Sequence, residues 1–93
     1  MDNEEIAELQ DKVEAFRAVD ETVKTSGWKK FLLPRFERLR QAHIQALMRA
    51  KDLPEVIRAQ EGIKAIDMLT QDIDICIAEG QEAIETLAKE KEE

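Results

Sequence analysis

The sequence has very few of the side chains on which enzymes and metal sites depend. It contains no tyrosine, and its single histidine, serine and cysteine are His43, Ser26 and Cys76. Catalysis by proton transfer or by a nucleophile needs several such groups close together. On a helix, His43 would have no carboxylate three or four residues away to orient it or to share a metal ion with it. We therefore predict no catalytic residue, no metal site and no cofactor.

Signals for membrane insertion and for export are also missing. The longest apolar run has four residues, Ile75 to Ala78, whereas a helix that spans a bilayer needs about 20. The residues that follow Met1 are acidic, where a targeting peptide would be basic. A single cysteine cannot form a disulfide within the chain, although small secreted domains usually need several. These absences predict a cytoplasmic protein that does not contact a membrane.

Charge is what the sequence has in abundance. Charged residues make up 38% of the chain and aromatic residues 4%, and there are only three glycines and two prolines. This composition is typical of long amphipathic helices, so we predict an all-α fold. Ninety-three residues are enough for one domain. The single domain, 1–93, is expected to contain helices at about 3–25, 28–51 and 54–88, the first capped by Asn3 and the third by Asp52.

Pro34 interrupts the second of these helices. Inside a helix, a proline removes one backbone hydrogen bond and its ring clashes with the carbonyl four residues earlier. The helix therefore either kinks near Pro34 or begins there, after a short turn over residues 28–33. The sequence leaves both possibilities open and slightly favours the turn.

The third segment carries the strongest pattern in the sequence. Small or apolar residues recur at alternating intervals of three and four residues, which is the spacing of coiled-coil packing. The pattern predicts an elongated antiparallel bundle or hairpin of three helices with a long, coiled-coil-like C-terminal helix. We call its positions the seam: Val56, Ala59, Ile63, Ile66, Thr70, Ile73, Ile77, Gly80, Ile84 and Leu87.

The third helix is predicted to be longer than either of the others, which are therefore too short to cover the whole seam within one chain. We predict that the uncovered part contacts a second copy and makes the protein a homo-oligomer. Gly62, beside the seam, and Gly80, within it, either let another helix approach closely or weaken their own helix by about 1 kcal/mol each. The predicted interface consists of Ile63, Ile66, Leu69, Ile73, Ile77 and Ile84.

Charges of opposite sign are separated along the chain. The net charge is −6 over residues 1–23, +7 over residues 24–51 and −8 over residues 52–93. The basic segment either packs between its acidic neighbours and is neutralised by them, or binds an acidic partner outside the chain. Nucleic acid ranks below an acidic protein, because the flanking segments would repel phosphates and no recognition motif is present. The candidate face for a partner is formed by Trp28, Lys29, Lys30, Arg35, Arg38 and Arg49.

The middle of the chain contains a set of residues that forms a recognisable pattern. The residues are Ser26-Gly27-Trp28, Leu32, Pro34, Phe36-Glu37, Arg40, the run from Gln60 to Ile66, and Leu69. In this pattern, residues 26–69 resemble small helical proteins that tailed bacteriophages encode near their particle-assembly genes. The resemblance implies a phage or prophage origin, with a place in the particle or in its assembly. It would locate the protein in the bacterial host cytoplasm or in the virion, and it transfers no site residue.

Two main hypotheses of function follow from these patterns. The first is a non-enzymatic structural or assembly protein that oligomerises through its third helix, as a component or assembly factor of a phage particle. The second is a small regulator or inhibitor that binds a host protein through the basic segment, residues 24–51. A nucleic-acid accessory protein is a third and weaker hypothesis.

Overall fold

The computed structural model describes residues 1–92, and it confirms the all-α class and the long C-terminal helix. Helix α1 covers Asn3–Val23, α2 covers Leu33–Arg49 and α3 covers Leu53–Glu92. A π-helical turn at Trp28–Leu32 leads directly into α2. No strand occurs within residues 1–92.

Side chains of aspartate cap the first and third helices. At α1 the cap is Asp2, one residue before the predicted Asn3, and its Oδ1 accepts the backbone N–H of Glu5 at 2.8 Å. At α3 the predicted cap is confirmed, because Oδ1 of Asp52 accepts the backbone N–H of Glu55 at 2.9 Å. The Glu55 carboxylate in turn accepts the N–H of Lys51 at 2.8 Å. The three carboxylates therefore satisfy three backbone donors at or just before the starts of the two helices.

The segment before Pro34 is neither a kinked α-helix nor an open turn, but a widened helical turn. Pro34 has no N–H to give to the carbonyl of Lys30, and in an α-helix its ring would press against that carbonyl. In the structure the N–H of Leu33 bonds instead to the carbonyl of Trp28, five residues earlier. The wider π-helical turn gives the proline ring room without ending the helix.

The chain forms two compact units, although the sequence predicts a single domain. The terminal unit contains Met1–Lys24 and the chain from Asp72 onward, and the central unit contains Thr25–Gln71. Each unit pairs a shorter helix with a different half of α3. The sequence predicts that the two shorter helices cannot cover the whole seam, and in the structure they lie along different halves of α3.

In the terminal unit, α1 packs antiparallel to the second half of α3. The Met1 ammonium lies 3.3 Å from Oε1 of Glu90, whereas Phe16, fifteen residues later, lies against Gly80. Val13 and Ala83 are buried in this unit. Gly80 is buried as well, and a Cβ placed on it would overlap the side chain of Phe16. Close helix packing therefore explains this glycine.

In the central unit, α2 packs antiparallel to the first half of α3. The His43 ring lies so close to Gly62 that a Cβ on the glycine would come within 2.5 Å of it. The Arg40 guanidinium donates two hydrogen bonds to Asp67, at 2.7 and 3.2 Å. Ala59 is the buried apolar residue of this unit. Both glycines of α3 are thus points where a helix of the same chain approaches closely.

Candidate functional site

The seam lies mainly on the side of α3 that faces the chain's own helices. Among the residues predicted to form an interface between copies, Ile63, Ile66, Ile73 and Ile77 are half-buried, and Leu69 and Ile84 are exposed. Gly62 and Gly80, which belong to the same side of the helix, are covered by α2 and by α1 respectively. The half-buried positions therefore contribute to packing within each unit. Contact with another copy stays a prediction for all six residues, of which Leu69 and Ile84 are the exposed ones.

A second apolar face of α3 lies in the central unit and is uncovered. Leu53, Ile57 and Met68 are 68%, 46% and 53% exposed. At about 100° of rotation per residue, the three side chains fall within an arc of about 60°. The buried Ala59 lies on the other side of the helix. We call Leu53, Ile57 and Met68 the outer apolar face, because nothing within the central unit covers it.

Helix α2 exposes a row of arginines on the side away from α3. Arg35, Arg38 and Arg49 are exposed, and with Ala42 and Gln45 between them they follow intervals of three, four, three and four residues. We call these five positions the basic stripe. The residues that pack toward α3, Phe36, Arg40, His43 and Leu47, lie on the opposite side of α2 and are half-buried.

The cations of the candidate face have no carboxylate partner within residues 1–92. The ion pairs in that part of the chain join Met1 to Glu90, Lys24 to Asp20 and Arg40 to Asp67. All five cations of the candidate face are exposed and are absent from these pairs: Lys29, Lys30, Arg35, Arg38 and Arg49. Within the described chain, a neighbouring helix therefore neutralises Arg40, whereas no neighbouring helix neutralises the cations of the candidate face.

Trp28 and Phe31 have different positions in the π-helical turn. Trp28 is half-buried and its ring lies 5.8 Å from that of Phe36, at an angle of 60°. Phe31 is 71% exposed, and its neighbours Lys29 and Lys30 are exposed as well. Trp28 therefore packs within its own unit, and Phe31 is the aromatic side chain that a partner could contact.

Arg40 and Asp67 form the ion pair that joins α2 to α3. The hydrogen bond from Arg40 lowers the pKa of Asp67, and the same bond raises the pKa of Arg40. Both side chains are more than 40% exposed, so solvent screens the pair and its main effect is on the register of the two helices. Arg40 is consequently occupied and does not belong to the basic stripe.

The separation of charge seen along the sequence is also present between the two units. The central unit has nine lysines and arginines against five aspartates and glutamates, a net charge of +4. The terminal unit has five against sixteen, a net charge of −11. One chain thus combines a basic unit with a strongly acidic unit.

Concave and metal-binding features are slight. Within the central unit, His43, Glu55 and Arg58 line a shallow groove, and Lys12 and Cys76 line another in the terminal unit. No group of three or more His, Cys, Asp or Glu residues in 1–92 could hold a metal ion. None of the helices described in that range combines the length and the apolar character that a bilayer span requires. The prominent features of this chain are therefore its convex helix faces.

The outer apolar face was not predicted from the sequence. Leu53 and Ile57 are four residues apart and Met68 follows eleven residues later, so the helical period could have revealed them as a group. The stronger pattern of the seam on the same helix hid this weaker one.

No protein-family model matches the chain, and no curated protein or solved structure is similar to it. Function must therefore be argued from the helix faces themselves.

Proposed function

We propose that the protein is a non-enzymatic structural or assembly protein whose exposed helix faces join it to further copies of itself. The resemblance of residues 26–69 to small phage proteins sets the proposed context, which is a component or assembly factor of a tailed-phage particle. This context rests on the sequence pattern alone, whereas self-association rests on the surface of the chain.

The outer apolar face is the observation that carries the proposal. Only Val13, Ala59 and Ala83 are buried apolar residues in the described chain, whereas Leu53, Ile57 and Met68 are roughly half exposed or more. Single exposed apolar residues are ordinary. Three on one side of a helix, with the exposed Lys64 between Ile57 and Met68, offer an apolar area that a protein partner can cover. A second helix packed on this side of α3 would remove the exposed apolar area from water.

A double substitution in the outer apolar face tests the proposal. We expect Ile57→Asp with Met68→Asp to lower the mass in solution, measured by light scattering, toward that of the 10.7 kDa chain. The helix content and the melting temperature should change little, because both side chains are largely exposed. Two carboxylates placed in an apolar contact between copies would have to be desolvated there without partners.

Two controls separate self-association from folding. Ala65→Asp with Ala88→Asp adds the same charge to α3 at exposed positions outside the outer apolar face and should leave the mass unchanged. Ile66→Asp places a carboxylate in the half-buried seam and should lower the melting temperature. The proposal is wrong if the Ile57 and Met68 variant keeps the mass of the unmodified protein.

A second candidate function is supported by the uncompensated cations near Phe31. Lys29, Lys30 and Arg35 lie within four residues of this exposed aromatic side chain and have no ion pair in residues 1–92. Aromatic and arginine side chains together are typical anchors of protein interfaces. A regulator that binds an acidic surface of a host protein would use this face. Charge reversal at Arg35 and Arg38 would test both candidate functions, because Arg35 belongs to this face as well as to the basic stripe.

A further inference from the structure

Helix α1 has an outward face that matches the basic stripe in spacing and opposes it in charge. Its positions follow intervals of three, four, three, four and three residues and lie on the side of α1 away from Val13 and Phe16. All are exposed, and the acids among them form no ion pair within residues 1–92. We call this set the acidic stripe: Glu4, Ala7, Asp11, Glu14, Ala18 and Glu21.

The two stripes also have similar lengths, and both have small residues between their charged positions. The first and last positions are 17 residues apart in the acidic stripe and 14 residues apart in the basic stripe, which at 1.5 Å per residue is about 26 and about 21 Å. Each stripe places alanine between its charged positions, Ala7 and Ala18 on α1 and Ala42 on α2. Small residues at heptad spacing let two helices approach, while the longer charged side chains beside them can pair across the contact.

We infer that the acidic stripe of α1 in one copy packs against the basic stripe of α2 in a second copy. The inference rests on the proposed function and adds a second contact between copies to the one proposed at the outer apolar face. Each chain carries both stripes, so the same contact can be repeated from copy to copy. The exposed Phe31 adjoins the basic stripe, four residues before Arg35, and adds apolar area to the contact.

A second copy fits the basic stripe better than nucleic acid does. The chain has a net charge of −7, and its terminal unit alone carries −11. Phosphates drawn to the basic stripe would bring a polyanion close to a chain that repels it. Another copy supplies negative charge at the helical spacing that the arginines require.

The inferred contact should depend on salt. Exposed ion pairs are individually weak, and at about 0.15 M salt their attraction is screened beyond about 8 Å. Several pairs in register therefore have to act together. Added salt should weaken association that depends on the stripes, whereas it would not weaken a purely apolar contact.

Two variants with opposite charge reversals test the inference when they are mixed. Arg35→Glu with Arg38→Glu gives the basic stripe a net negative charge, so that both stripes of that variant are acidic. Asp11→Lys, Glu14→Lys and Glu21→Lys give the acidic stripe a net positive charge, so that both stripes of the other variant are basic. In sedimentation experiments, the association of each variant alone should be at least about tenfold weaker than that of the unmodified protein, because like charges then face each other. The equimolar mixture should regain association, since each variant meets a partner of opposite charge.

A matched control changes the same charge elsewhere in the central unit. Lys51→Glu with Arg58→Glu alters two exposed cations outside the basic stripe and should leave association unchanged. Circular dichroism checks that every variant keeps its helix content.

The outcomes separate this inference from the proposed function. If the unmodified protein assembles and both charge-reversed variants assemble equally well, the stripes are not the contact, although self-association stands. If the unmodified protein stays monomeric at low salt, both ideas fail. If reversal of Arg35 and Arg38 abolishes retention on duplex DNA and leaves self-association intact, the basic stripe serves nucleic acid and the inference is overturned.

Discussion

Replacement of Gly80 by alanine is expected to lower the free energy of unfolding by about 1 to 3 kcal/mol, although alanine is the better helix former. An added Cβ would overlap the side chain of Phe16 and would lie 3.1 Å from the carbonyl oxygen of Lys12. Because one obstacle is backbone, α1 would have to move away from α3 to make room. Urea unfolding followed by circular dichroism measures the loss.

Gly27 provides the matched control for this prediction. It has helical backbone angles, with φ at −60°, and a Cβ placed on it would meet nothing within 4 Å. Gly27→Ala should therefore raise the free energy of unfolding by about 0.5 to 1 kcal/mol, mainly by restricting the unfolded chain. Two glycine substitutions of opposite sign would support the packing of α1 on α3. An equal stabilisation by both would contradict it.

Ala83→Asp is expected to destabilise the terminal unit by roughly 3 to 5 kcal/mol. Ala83 is 1% exposed, so the new carboxylate would be taken out of water in a site that also has no space for it. No lysine or arginine lies three or four residues away on α3, and Glu79, which lies four residues earlier, would repel the new charge. For a chain of this size, such a loss is a large part of the total stability.

Ala78→Asp makes the same chemical change on the same helix at an exposed position. Its effect should stay within about 0.5 kcal/mol, the usual range for surface substitutions. Thermal and urea unfolding of the two variants compare them directly. If both lose the same small amount, Ala83 is not in the packed interior of the terminal unit.

Periodicity was sufficient to predict the class of the fold and the long third helix. The regular spacing from Val56 to Leu87 fixes α3, and Asp52 followed by Pro54 marks its start. These signals are local, because a helix is specified by residues within a few positions of one another. The cap at Asp2 in place of Asn3 is a shift of one residue, within the normal uncertainty of helix ends.

Which helix covers which part of α3 is a long-range question that periodicity does not answer. The seam could have faced another copy or the chain's own helices, and its sequence is the same in both cases. The structure places Gly62 against His43 and Gly80 against Phe16, so two shorter helices cover different halves of one long helix. The outer apolar face is consequently a better candidate for contact between copies than most of the seam.

The sequence predicted which residues form the candidate charged face, but not how they are arranged in space. The sequence identified the excess of lysine and arginine in residues 24–51, and the structure shows which of these cations point away from the packed interior of the central unit. Arg40 and Arg38 are two residues apart, yet one binds Asp67 and the other is exposed. The π-helical turn before Pro34 also sets how Trp28 and Phe31 are placed, and no simple sequence rule gives that turn.

The central claim is that copies of this chain associate through their outward helix faces. The most direct test is the mass of the unmodified protein in solution, measured by sedimentation equilibrium over a wide range of concentration at low salt. We predict a mass above the 10.7 kDa of one chain that falls toward it on dilution. A mass of 10.7 kDa at every concentration would contradict the claim.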